Sequence, residues 1–389
     1  MLEKIYQSIE SIYPQMVEIR RYLHQYPELS FKEYKTAQYI ANFYEELNIP
    51  YQTGVGGNGV VATLEGAKPG KTIALRADFD ALPIQDEKDV PYKSKIDGVM
   101  HACGHDGHTA TLLGLAKVMK SYQDKLPGTI VFLHQHAEEY APGGAKPMIE
   151  AGVLENVDAV FGNHLWATTP VGTIETSKGV FMAGADRFEI KIQGQGGHGA
   201  YPHETKDAVV IGSQIVTQLQ QIVSRRIDPL ETAVVTVGVF EAGNAFNIIA
   251  DTARLVGTVR YLNTDIQEQI IEEIERIISG ICTANDCSYT LDYKKGYPPV
   301  INHESEATLI LDVASKLPEV KQAAEVIPSM GGEDFAYYLQ ERPGAFFFTG
   351  AQKEGNPYPH HHPHFDFDER AMSIAAKTLI SAYFAYQEK

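Results

Sequence analysis

The sequence predicts an α/β protein in which a mostly parallel sheet with helices on both faces is interrupted by a ferredoxin-like α+β domain. Two observations carry that reading. Strand-like and helix-like runs alternate up to residue 165 and again beyond residue 297, the pattern of crossover units on a covered parallel sheet. Between them the order becomes strand–helix–strand–strand–helix–strand, the split βαβ arrangement. The expected boundaries are 1–183 with 297–389 for the larger domain and 184–296 for the smaller.

Residues 12–25 and 36–48 have helical spacing, with Ala37, Ile40, Ala41, Tyr44 and Leu47 on one stripe. Short apolar runs at 59–66, 71–80, 128–136 and 158–165 read as strands, and 108–122 as a helix. In the middle third, 185–194 alternates like a half-exposed strand and 207–226 is helical. Two strands follow at 232–241 and 252–262, then a helix at 264–281 and a strand at 288–296. After Pro298-Pro299 come a helix near 304–316, the strand 345–350 and a closing helix over about 369–387.

Composition narrows the function. A chain of 389 residues is too long for one simple core. Its 33 basic and 50 acidic residues give a net charge of -17, which excludes a nucleic-acid binder that relies on a basic footprint. No apolar run reaches the roughly 18 residues of a membrane span, and the first residues carry no apolar signal core. A cytoplasmic protein with no membrane partner is expected. Cys103, Cys282 and Cys287 cannot staple a chain of this size, and the last two are expected to be buried thiols.

Two stretches match G-x-G-x-x-G, at Gly54, Gly56, Gly59 and at Gly194, Gly196, Gly199. Dinucleotide binding needs a helix whose N-terminus follows the glycines. A strand-like VVATL follows the first, and the second lacks an acidic residue about 20 positions on. Both read better as turns.

The run HACGHDGH (101–108) places Cys103, His105, Asp106 and His108 just before an apolar helix. Thiolate and imidazole are preferred ligands of borderline-soft divalent ions such as zinc, while a helix-capping loop using Asp106 or Thr109 is the alternative. Three further clusters follow. His134, His136, Glu138 and Glu139 close one strand, Asn163-His164 close the next, and His360, His361, His362 and His364 lie near the C-terminus. Ten of the 14 histidines fall in these four groups. In α/β sheets, ligand chemistry gathers at the carboxyl ends of strands. A Glu-Glu pair directly after an apolar strand needs a positive partner, because unpaired buried carboxylates are costly. One glutamate can bind metal while its neighbour accepts a proton from water, which points to metal-assisted hydrolysis of a carbonyl bond.

Together with RRYLHQYPELSFKE (20–33), LRADFDALP (75–83), GNHLWA (162–167), GGHGAYPH (196–203), GGEDF (331–335) and HHPHFDFDE (361–369), these motifs resemble the aminoacylase-like metallopeptidases. The likeness spans nearly the whole chain. It is nearest to the branch of hippurate hydrolase, bacterial N-acyl-amino-acid amidohydrolases and plant indole-acetyl-amino-acid hydrolases. The resemblance implies two divalent metal ions, manganese or zinc, held by Cys103, His105, Glu139, His164 and His361, with Cys103 bridging. His361 is chosen over His360 and His362 because the branch pattern is ligand, any residue, proline. Glu138 corresponds to the general base and Asp78 to an acid supporting the metals. Arg76 stands where other branches have a ligand histidine.

The resemblance also makes 184–296 a lid used for dimerisation and the rest the catalytic metal-binding domain. His198 would reach the substrate carbonyl, and Asn247, Arg260 and Glu333 would bind substrate. From the residues alone, Arg260 reads equally as a solvent-facing charge and Asp334 as a helix N-cap. The expectation is a homodimeric, metal-dependent amidohydrolase that cleaves small N-acyl amino acids into a carboxylate and a free amino acid. A dipeptidase or aminopeptidase on the same scaffold is the alternative. A non-catalytic metal-binding protein is the more distant one, and it leaves Glu138 without a purpose.

Overall fold

A computed structural model describes residues 1–389. The chain divides into two compact units: Met1–Phe181, Val300–Ile327 and Asp334–Lys389 form the first, and Met182–Pro299 with Pro328–Glu333 the second. In chain order the first unit opens with α1 (Leu2–Gln25), α2 (Tyr34–Glu46), β1 (Tyr51–Val55), β2 (Gly59–Glu65) and β3 (Lys68–Asp78). It continues with α3 (His105–Lys120), β4 (Pro127–Gln135), β5 (Ala159–Pro170) and β6 (Thr173–Thr176). The second unit holds β7 (Gly184–Gln193), α4 (Ala208–Gln221), β8 (Ala233–Ala242), β9 (Thr252–Tyr261), α5 (Thr264–Ala284) and β10 (Ser288–Tyr297). The first unit resumes with α6 (Glu304–Ala314), β11 (Gln322–Glu325), β12 (Gly344–Gln352) and α7 (Arg370–Gln387).

The strand order of the larger sheet is β1-β2-β4-β3-β5-β12-β6-β11. Its four central strands, β4, β3, β5 and β12, run parallel. Antiparallel pairs occur only toward the edges, at β1–β2, β2–β4 and β12–β6. Both faces are covered, unevenly. The five long helices share one hydrophobic core with the sheet, to which β12 contributes Ala345 and Phe347. Its neighbour Phe346 points the other way and packs against Phe335, which leads the short helix Ala336–Glu341. Both rings seat on Gly162 of β5, where a Cβ would lie 2.6 Å from Phe335 and 2.7 Å from Phe346.

The elements depart from the sequence reading in instructive ways. α1 begins at Leu2, upstream of residue 12, because buried Ile5 and Ile9 continue its stripe across Pro14. Three short strands, β1 and β11 at the two edges and β6 beside β11, carried no clear alternation; β1 has an exposed centre. Asp334 is not an N-cap. Its carboxylate accepts from Arg76, Gln135 and the backbone N–H groups of Gly144 and Ala145, and Phe335 holds the cap position instead.

In the second unit the sheet order is β8-β9-β7-β10, antiparallel throughout. This is the split βαβ order. Ile211, Ile215 and Leu219 of α4 join Ile270, Ile274 and Ile278 of α5 in its core. Both helices start with side-chain caps. Asp207 accepts from Val209 N–H at 2.9 Å, and Asn263 from Asp265 N–H at 3.0 Å. The expected helix through 226 loosens after Gln221 into a π turn over Ile222–Arg226. Residues 328–333, placed by sequence in the larger domain, return to this unit: Ala183 N–H bonds the carbonyls of Ser329 at 2.9 Å and Gly331 at 3.0 Å. No helix is long and apolar enough to cross a membrane.

One buried charge ties the first unit together. Arg20 of α1 is fully buried and donates to Asp106 and Asp366 at 2.9 Å and to Glu369 at 3.1 Å. It thereby locks α1 to the first turn of α3 and to the segment entering α7. Replacing Arg20 by Ala strands these carboxylates and should lower the unfolding free energy by about 3–5 kcal/mol. Urea denaturation reads this directly, and an unmoved midpoint would contradict it.

Candidate metal centre

Strand register builds the site. Asp78 pairs with Gln135 across β3–β4, and Arg76 pairs with Gly162 across β3–β5. His164 lies one two-residue step beyond Gly162, level with Asp78 and on the same face. Three carboxyl ends of parallel strands thus meet along one edge. The turn after β4 adds Glu138 and Glu139, the first residue of α3 is His105, and Cys103 lies just before it. His361 comes from the loop before α7, with φ +65 and its N–H bonded to Ala102 O at 2.8 Å.

The five expected ligand residues converge. Ligand atoms of Cys103, His105 and His164 lie within 4.8 Å of one another, and so do those of Cys103, Glu139 and His361. Cys103 belongs to both sets. Its Sγ is 3.3 Å from His164 Nε2, and His361 Nε2 stands 3.2 Å from Glu139 Oε1. His105 Nε2 is 3.9 Å from both Glu138 Oε2 and Glu139 Oε1, and 3.7 Å from Asp78 Oδ2.

Each ligand imidazole in the buried wall is oriented by its other nitrogen. His105 Nδ1 faces Asp80 Oδ1 at 3.1 Å, and His164 Nδ1 faces Leu165 O at 3.0 Å. Both nitrogens donate there, so both Nε2 atoms are aimed at the cluster. His108 is different. Its Nδ1 meets Asp78 Oδ1 at 2.6 Å and its Nε2 accepts from Leu165 N–H at 2.9 Å, so it has no lone pair left. His134 is held by the Tyr44 hydroxyl at 2.8 Å. Among the C-terminal histidines, His360 Nε2 accepts from Ala167 N–H at 3.0 Å and His362 Nδ1 from His364 N–H at 3.0 Å. His361 alone of these three joins a ligand set.

The donor set fits a cation. Buried His105 Nε2 makes no hydrogen bond, and leaving such a group unmet costs about 1–3 kcal/mol. Burial works against a charged His105, yet Asp78, Asp80 and Glu139 push it up to about 10. Burial, with Glu139, Glu138 and Asp78, holds the Cys103 thiol well above its usual range. Protons therefore occupy what a divalent cation would replace. Asp78 stays ionised: burial opposes this, but Arg76, His105 and His108 hold it well below the usual carboxylate range.

Two residues at the heart of this arrangement were absent from the sequence-derived set or unexplained by it. Asp80 orients His105 and accepts Glu139 N–H at 3.0 Å; its only signal was the second acid of DFD in LRADFDALP. Arg76 donates to Asp78 at 2.6 Å, Gln135 at 2.9 Å and Asp334 at 2.9 Å, a fixed cation in the place of a ligand.

The remaining expected residues belong to the second unit. His198 and Asn247 are brought side by side: Gly197–His198 pairs with Ile248–Ile249, and Gly199 N–H bonds Asn247 O at 2.9 Å. His198 is exposed, and its Nδ1 accepts from Ala200 N–H at 3.1 Å. Arg260, half-buried on β9, donates to Thr258 Oγ1 and to Val259 O. Glu333 is buried at the end of the 328–333 segment.

Against this geometry, the model of peptidase family M20/M25/M40 matches residues 74–384. The chain belongs to this family. A putative amidohydrolase of Bacillus subtilis, YhaA, is 56% identical over 388 residues, covering 99% of this chain and 98% of that one. An N-acyl-L-amino acid amidohydrolase of Geobacillus stearothermophilus is 47% identical over 78% of this chain and 82% of its own. The crystal structure of the Bacillus subtilis YXEP protein, a dinuclear metal-binding peptidase of the M20 family, superposes with a TM-score of 0.84. It is 35% identical and covers 98% of this chain and 99% of that one. The M20 chain described here is accordingly a hydrolase that binds metal.

Filling the site must displace the protons on His105 and Cys103. Zinc affinity of the metal-stripped protein should therefore rise with pH between 6 and 9, with about two protons released as the site fills. Calorimetry in buffers of different ionisation enthalpy counts them. A pH-independent affinity with no proton release would contradict the ligand assignment.

Proposed function

We propose that this protein is a metal-dependent amidohydrolase that cleaves small N-acyl amino acids into a carboxylate and a free amino acid. The carrying observation is the divided pair after β4. Both glutamates lie 3.9 Å from His105 Nε2, but only Glu139, half-buried, also groups with Cys103 and His361, whereas Glu138 is buried and does not. In this reading Cys103, His105, Glu139, His164 and His361 would hold two divalent ions, Cys103 belonging to both candidate groups. Bound there, the ions supply Lewis acidity, polarising the amide carbonyl and lowering the pKa of water toward roughly 7.

Glu138 then accepts a proton from the attacking water and delivers it to the departing amine. Asp78 and Asp80 keep the imidazoles of His108 and His105 in one tautomer, and Arg76 balances the charge of Asp78 and Asp334. His198 donates to the developing oxyanion, with Asn247, Arg260 and Glu333 engaging the amino-acid portion of the substrate. The thiolate donor favours zinc, and manganese is the rival ion.

We further assign a homodimer that uses the second unit. Its edge strand β8 leaves Val234, Val239 and Phe240 exposed, and Val209 and Val210 of α4 are exposed as well. A long unpaired edge with apolar side chains is suited to pairing with another chain. A cytoplasmic setting accords with the free thiols Cys103, Cys282 and Cys287.

Glu138→Gln removes the proton acceptor and keeps the side chain's shape. It should lower kcat by about 100- to 10,000-fold with unchanged metal content. Amino-acid release from N-acetyl, N-benzoyl and indole-acetyl amino acids, with dipeptides alongside, measures this. Turnover retained by Glu138→Gln would remove it as base, and turnover of dipeptides alone would make the enzyme a peptidase.

A further inference from the structure

Glu33 stands at the N-cap position of α2 but makes no cap hydrogen bond. That task falls to Glu28, which accepts from Thr36 N–H at 2.8 Å. The Glu33 carboxylate, fully buried, turns instead toward the loop after β4. Oε1 accepts from the backbone N–H groups of Phe31 and Ala137, both at 2.9 Å, and Oε2 accepts from Asn58 Nδ2 at 2.9 Å. Both backbone donors are non-glycine residues in the left-handed region, Phe31 at φ +66 and Ala137 at φ +53. That conformation costs roughly 1–2 kcal/mol for an L-residue, so something must hold each in place.

Ala137 immediately precedes Glu138, and the same loop secures the other side of that residue. Ser30 donates to Asp80 Oδ2 at 2.7 Å, and that oxygen also accepts Glu139 N–H at 3.0 Å. Asn58 comes from the β1–β2 turn, the first of the two glycine-rich runs. Its neighbour Gly57, at φ +130, lies against His136: a Cβ there would sit 2.6 Å from His136 Nε2. Backbone N–H groups on both sides of Glu138 are thus tied, directly or through Asp80, to one segment, residues 30–33.

We infer that Glu33, braced by Asn58, is a positioning residue that clamps the strained Ala137 turn and so keeps the Glu138 and Glu139 carboxylates in their separate places. The inference rests on the roles proposed above for those two glutamates. Its consequences divide from those of a merely stabilising buried acid. A clamp acts on turnover and on ion binding at Glu139, with little effect on substrate affinity. It is also replaceable by anything that makes the Ala137 turn easy to form.

The test compares wild type, Glu33→Ala, Glu33→Gln, Asn58→Ala and the double variant Glu33→Ala/Ala137→Gly. Each is assayed for kcat and KM on the best acyl substrate and titrated with zinc. Glu33→Ala should lower kcat by about 10- to 100-fold and weaken binding of the second zinc by a similar factor, with KM nearly unchanged. Glu33→Gln, which keeps the oxygen acceptor, should retain most of both. Glycine adopts positive φ freely, so the double variant should recover part of the lost kcat and zinc affinity.

Wild-type kcat and zinc affinity in Glu33→Ala would overturn the clamp, as would a loss that Ala137→Gly does not relieve. If Glu33→Ala fails to fold, Asn58→Ala decides, since it removes one brace only. A smaller fall in kcat and zinc affinity supports the clamp, and no change overturns it. Wild-type silence on every acyl substrate would sink the amidohydrolase reading, yet the zinc titrations would still judge the clamp.

Discussion

Asp80, fully buried just beyond the end of β3, receives a hydrogen bond from His105 Nδ1, another from the Ser30 hydroxyl and a third from the Glu139 amide. Those three bonds join the helix that carries one expected ligand, the turn that carries another and the loop ahead of α2. The bond to His105 Nδ1 turns Nε2 toward Glu138, Glu139 and Asp78, where a cation would replace its proton. The bond from Glu139 sets where its carboxylate begins. Burial works against the charge on Asp80, but the His105 bond and ion pair and the Glu139 amide keep it ionised. Parallel strand register brings these groups to one edge of the sheet. Asp80 then turns proximity into orientation.

The balance of charge at that edge explains why the site calls for a cation in one place only. Arg76 serves Asp78 and Asp334 together, so the floor formed by β3, β4 and the segment at Asp334 has a fixed cation of its own. Above it, Cys103 and Glu139 lie beside imidazoles, and protons on His105 and Cys103 fill the need. The thiol of Cys103 supplies charge there only once a cation has displaced its proton.

Much of this was legible in the sequence because it depends on local pattern. The Cys103–His105 spacing, the Glu138-Glu139 pair and the helix–strand rhythm all sit within short windows. Features set by distant partners were not legible. Nothing near Glu33 announces that its carboxylate serves Ala137, some hundred positions away, rather than its own helix. Residues 328–333 return to the second unit because of hydrogen bonds to Ala183, which no periodicity encodes. The strands β1, β6 and β11 are short, and pairing, not alternation, defines them. Asp334 looked like a cap because caps are the commonest use of an aspartate before a helix. Here Arg76 and two backbone N–H groups compete for it and win.

The central claim is that one sulfur, Cys103 Sγ, lies among nitrogen and oxygen donors where divalent ions bind. X-ray absorption at the zinc edge of the metal-loaded protein tests it most directly. A sulfur shell at about 2.3 Å is expected alongside the lighter donors, lost in Cys103→Ala. A spectrum with only nitrogen and oxygen neighbours, or one unchanged by Cys103→Ala, would contradict it.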